Sequence, residues 1–124
     1  MPRSYQADMS RLRNLSPVGT AVIYYGLSLT PNNELRGGYS FWVPYPSNFF
    51  GFRVQPKVQN IRFSVRGTPN EFLILPELPL SWGRGHAYSG FVLARPDQLY
   101  AACSYIRRAE ELFRLGRNRF KRAA

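Results

Sequence analysis

Arg53, Arg62 and Arg66 stand in two stretches, FGFRVQ and IRFSVR, in which apolar and polar residues alternate. A guanidinium holds phosphate through a two-pronged hydrogen-bonded contact and also stacks on a base, so three of them on one strand face would form a surface for nucleic acid. The competing account is a set of polar positions on a solvated sheet face. A second cationic group runs along the C-terminal segment, where Arg107, Arg114, Arg117, Arg119, Lys121 and Arg122 accompany Phe120. Clustered cations with an interleaved ring suit a segment that tracks phosphates, although cations at a helix end are favourable through the dipole alone.

The stretch WGRGH places Arg84 between two glycines with His86 close by. Such a loop would let backbone approach an anion while the guanidinium closes over it. His86 is the only histidine, so acid–base chemistry there would have to recruit Glu71, Glu77, Tyr88 or an arginine. An ordinary loop histidine is the simpler account. Cys103, the only cysteine, falls on an apolar helical stripe, where a thiol packs and has no cause to react. One cysteine excludes an internal disulfide framework. No metal-ligand spacing and no cofactor-binding loop stand out, so neither a metal nor a cofactor is expected.

The segment GYSFWVPYPSNFFGFRV concentrates aromatic residues beyond what one small core can take. Tyr39, Phe41, Trp42, Tyr45 and Phe49 are therefore expected, in part, to stack on bases or to contact protein.

These groups belong to a chain of 124 residues with a formal net charge of +10. Self-repulsion on that scale is relieved by an anionic partner, and nucleic acid is the first candidate. All the cations except Lys57 and Lys121 are arginine, which GC-rich codon usage would also produce, but codon usage does not account for the scarcity of acids. Hydrophobic content of 44% and aromatic content of 15% set the chain apart from disordered sequences, and its length suits one domain, 1–124. Residues 1–14 lack the apolar stretch of a signal peptide, and the run from Thr20 to Leu29 is too short and polar to span a bilayer. The expectation is a soluble protein, intracellular or packaged in a particle, with no membrane contact.

Four segments are predicted to position the candidate groups: a basic N-terminal arm (1–16), an antiparallel sheet (17–95), a helix (96–116) and a basic tail (117–124). Ala21, Ile23, Tyr25, Leu27 and Leu29 alternate with smaller or more polar residues, which predicts a strand from Val18 to Leu29. Turn formers over 30–38 would reverse it into a second strand, Tyr39–Val43, making a hairpin. A second hairpin, from Phe50 to Gln55 and Ile61 to Arg66, buries its phenylalanines and turns Arg53, Arg62 and Arg66 outward. Glu71–Leu75 reads as a buried strand, residues 82–86 as an exposed loop and Ala87–Ala94 as the last strand. Pro96 and Asp97 open a helix whose stripe is Leu99, Ala102, Cys103, Ile106, Ala109 and Phe113. The fold class is α+β: an antiparallel sheet of about five to six strands, curved or partly closed into a barrel, with one C-terminal helix packed on it and basic terminal arms.

A non-catalytic nucleic-acid-binding protein fits this pattern first. RNA or single-stranded DNA is favoured over duplex because no helix-turn-helix or zinc signature is present and the candidate surface is a sheet with aromatics. Second comes a small structural or interaction protein of a viral or phage particle or a ribonucleoprotein, a homo-oligomer or larger assembly joined through the aromatic segment, or an inhibitor of a nucleic-acid enzyme. A small metal-independent ribonuclease or toxin using His86 and Arg84 comes third.

Overall fold

A computed structural model describes residues 16–30, 34–37, 40–44, 47–55, 60–83 and 87–123, with the side chains of 55 and 117–123 outside the description. Ser16 and Pro17 begin a helix, α1 (Pro17–Ser28), where alternation predicted the first strand. The Ser16 hydroxyl accepts the Gly19 N–H at 3.1 Å, and proline in the first turn has no amide to leave unpaired. The buried face of α1 is Gly19, Thr20, Val22, Ile23, Gly26 and Leu27. Two of its positions are glycine, which weakens the helical stripe, and Ala21 and Tyr25, outside the buried face, complete a false period of two with Ile23 and Leu27. The glycines serve packing. Ile61 lies beneath Gly19 and the Phe50 ring beneath Gly26, closer than a side chain at either position would allow.

The six strands are β1 (Arg36–Gly37), β2 (Phe41–Trp42), β3 (Phe50–Gln55), β4 (Asn60–Arg66), β5 (Ser81–Trp82) and β6 (Tyr88–Leu93). They form one antiparallel sheet in the order β1-β2-β3-β4-β6-β5. β1 and β5 are its edges, so the sheet is open and no barrel closes. β3 and β4 form the expected hairpin, and β6 matches the expected last strand. The other expected hairpin does not form, because α1 replaces its first strand and β2 pairs with β1 and β3 instead. Glu71–Leu75 is not a strand: a 3₁₀ turn, Pro69–Glu71, leads into irregular chain where Leu73 is 82% exposed. Pro69 and Pro76 flank this segment, and proline gives a ladder no donor. Trp82, expected in an exposed loop, belongs to β5.

On one sheet face Phe41, Phe52, Phe63 and Phe91 stand opposite one another across β2, β3, β4 and β6. Their ring centroids are 5.5, 6.0 and 5.1 Å apart along the row, which continues to Tyr105 at 5.5 Å. Each such pair adds about 0.5–1.5 kcal/mol to the burial of the rings themselves. This face is covered by α1 and by α2 (Leu99–Ala123), which follows a 3₁₀ turn at Pro96–Gln98. The small residues Ala101, Ala102 and Ala109 in the buried face of α2 let the helix lie close to the sheet. Tyr105 ties that helix to the chain before β5: its hydroxyl accepts the Leu75 N–H at 2.8 Å and donates to the Leu78 carbonyl at 2.6 Å. The result is an α+β sandwich of two layers, with the sheet's second face uncovered by any described helix.

Candidate nucleic-acid interface

Side chains alternate across a sheet, so the residues next to the buried phenylalanine row form a row on the uncovered face. That row is Trp42, Gly51, Ser64, Gly90 and Ser81, joined by the pairings Trp42↔Gly51, Gly51↔Ser64, Ser64↔Gly90 and Ser81↔Gly90. Large residues inside are thus backed by small ones outside, and Ser64 and Gly90 of that row, with Ser40 and Gly83, form the floor of a recess of about 690 Å³. This volume lies within the range of roughly 300–1,000 Å³ typical of ligand sites.

Arg53 and Arg62 face each other across β3 and β4 and line one side of the recess. Arg62 is exposed, and its Nη2 lies 3.7 Å from where a side chain on Gly90 would begin. Among the described residues lining the recess there is no carboxylate, so the two guanidinium groups make that side cationic. A phosphate could lie between them.

Trp42 and Tyr88 make an aromatic corner. The ring-fusion carbons of Trp42 occupy the place of a Cβ on Gly51, so the indole lies face-on against the sheet. Tyr88 meets it edge-on, with centroids 5.5 Å apart and planes at 76°. The Asn48 amide donates to the Tyr88 hydroxyl at 2.8 Å and accepts from Arg66 Nη1 at 3.1 Å, which fixes the tyrosine ring over the floor. Arg66 is itself braced, with its guanidinium carbon 5.1 Å from the centroid of Phe113 in α2.

The sequence-predicted groups therefore separate. Arg53, Arg62 and Arg66 do share the uncovered face, with Arg66 engaged at its rim by Asn48 and Phe113. Trp42 of the aromatic set is half-buried in the recess. Phe41 and Phe49, expected at a stacking or protein-contact surface, are 2% and 1% exposed because strand alternation and the packing of β3 direct them into the core. Arg107 and Arg114 belong to α2, in the layer on the far side of the sheet, where Arg114 pairs with Glu110 at 2.9 Å. Tyr39, Tyr45, Arg84, His86 and residues 1–15 of the N-terminal arm lie outside the described residues, as do the side chains of Arg117, Arg119, Lys121 and Arg122. The backbone at these last four positions continues α2 beyond the helix end expected at 116.

Sequence reasoning missed Ser64, Gly90, Asn48 and Tyr88 in the recess and Gly51 beneath the Trp42 indole. The signal for the small ones is the repeated pairing of a small residue with phenylalanine: Gly51-Phe52, Phe63-Ser64 and Gly90-Phe91. Among the described residues no group of three His, Cys, Asp or Glu side chains is placed to hold a metal, and no helix is long and apolar enough to cross a membrane. No protein family, curated protein or solved structure matches the chain.

Proposed function

We propose that this chain is a non-catalytic nucleic-acid-binding protein that takes RNA or single-stranded DNA on the uncovered face of its sheet. The observation that carries this reading is the opposed pair Arg53 and Arg62 beside a recess that combines an aromatic corner with a floor of glycine and serine. Two guanidinium groups on opposed strand positions offer a phosphate cationic donors from both sides. The overall charge of +10 acts in the same direction, drawing polyanions to the surface before specific contacts form.

The test is equilibrium binding of labelled oligonucleotides across a salt series. Affinity is expected to fall steeply with salt, and Arg53→Glu with Arg62→Glu is expected to weaken binding more than Arg119→Glu with Arg122→Glu. Flat salt dependence, or no binding, would remove the proposal. The reverse ranking of the two charge-reversal pairs would move the contact from the sheet to the tail.

A further inference from the structure

The geometry points to a specific mode of engagement: the recess receives one unpaired base, stacked on the outer face of Trp42, while the adjoining phosphate lies between Arg53 and Arg62. This rests on the proposed nucleic-acid function and adds to it a requirement for an accessible base. Four features support it. The indole lies face-on against Gly51, which leaves its opposite face directed away from the sheet. Tyr88, with its ring at 76° to the indole and centroids 5.5 Å apart, adds a second aromatic surface beside Trp42 in the recess. Beside the indole the floor is Ser64 and Gly90, where an added Cβ would meet the Phe63 carbonyl oxygen at 3.5 Å and Arg62 Nη2 at 3.7 Å, so Gly90 brings the floor up to the Arg62 guanidinium without crowding it. The guanidinium pair borders the same floor.

A base in a duplex has its faces covered by its neighbours and cannot enter such a corner. An unpaired base can, and sequence-tolerant stacking of this kind accompanies backbone tracking in many single-strand binders. The Ser64 hydroxyl on the floor and the Tyr88 hydroxyl at the wall offer hydrogen bonds to a base edge without demanding one particular base.

Gly90→Val tests this mode while keeping every ring and arginine in the sequence, its methyl groups lying beside the Arg62 guanidinium, whose Nη2 is 3.7 Å from the new Cβ. The site is inside β6, where valine is a good strand residue, and the new methyl groups would occupy the floor. Binding is measured with oligouridine and oligothymidine strands, each beside its abasic counterpart and a duplex of matching length, and with uridine monophosphate as competitor. The native chain is expected to bind the intact strands more tightly than the abasic ones, on the order of 10- to 100-fold, with duplex near the abasic level. Gly90→Val is expected to abolish the preference for intact over abasic strands, read as the ratio of the two affinities measured on the same variant. Far-ultraviolet circular dichroism and melting of the variant confirm that it folds, and Trp42→Ala provides a second route to the same loss. Equal binding of intact and abasic strands by the native chain would overturn the inferred mode and leave the nucleic-acid reading intact. Failure of every strand to bind would overturn both. Uridine monophosphate binding as tightly as the strands would overturn the mode in favour of a free nucleotide as the ligand.

Discussion

Replacing Arg62 by Gln and then by Glu is expected to move binding and stability in opposite directions. Arg62 stands directly opposite Arg53 on the uncovered face, and like charges on opposed strand positions disfavour folding. Neutralising it should stabilise the chain by about 0.2–1 kcal/mol, the scale of a cross-strand charge pair, and Glu should add a similar increment by attracting Arg53. In the complex the same charge contacts phosphate. Loss of one phosphate contact on a single strand flattens the dependence of log affinity on log salt by about 0.7, which amounts to roughly 5-fold at 0.1 M salt and roughly 25-fold at 0.01 M. The expected order of affinity is Arg, Gln, Glu, and the expected order of stability is the reverse.

Fluorescence anisotropy with an oligouridine strand over a salt series gives the slope, and urea unfolding at low ionic strength gives the stability before screening hides it. Parallel salt slopes for the three proteins would show that Arg62 touches no phosphate. Stability falling from Arg through Gln to Glu would show that the opposed pair is not a repulsive term.

Three further outcomes are expected. Gly26→Ala, which would stabilise an exposed helix, should destabilise this one by about 1–2 kcal/mol because the new carbon meets the buried Phe50 ring; Phe50→Leu should cost less in that background than alone, as read by a double-mutant cycle. Tyr105→Phe should cost about 1–3 kcal/mol by leaving the Leu75 N–H and Leu78 carbonyl without their partner. Burial holds the Tyr105 hydroxyl above its ordinary value of 10.0, with Glu77 acting in the same sense and the Leu75 N–H against it. Its contribution is therefore complete below pH 10 and is lost as pH rises through the higher folded value, so the alkaline fall in melting temperature should be shallower in the variant. Burial likewise raises the Cys103 thiol, and its alkylation near neutral pH should be slow in the folded chain and should accelerate on unfolding in urea.

The parts of this fold that were legible from sequence are those in which one periodicity dominates. β3 and β4 alternate cleanly, and their register alone puts Arg53 opposite Arg62. The helix over 99–116 was equally clear in kind, but its stripe turned slightly from the predicted one: Leu99 is 40% exposed, while Tyr105 is in the core because its hydroxyl finds backbone partners there. α1 was misread because Gly19 and Gly26, needed for close approach to Ile61 and Phe50, removed two apolar marks from its stripe. The Ser16-Pro17 start was the signal available to correct that reading.

The recess escaped detection for a related reason. Chemistry-bearing residues draw the eye, whereas a cavity is made by residues that withhold volume. Gly51 and Gly90 carry no functional group, yet one gives the Trp42 indole its seat and the other leaves the floor open beside Arg62. The phenylalanine row and the small-residue row are two sides of the same four strands: bulk directed into the core at Phe41, Phe52, Phe63 and Phe91 holds the sheet together while the outer side stays hollow. Stability and recess are thereby assigned to alternate positions. Filling the outer row, as Gly90→Val does, should consequently leave the core unaffected and alter only what the sheet can receive.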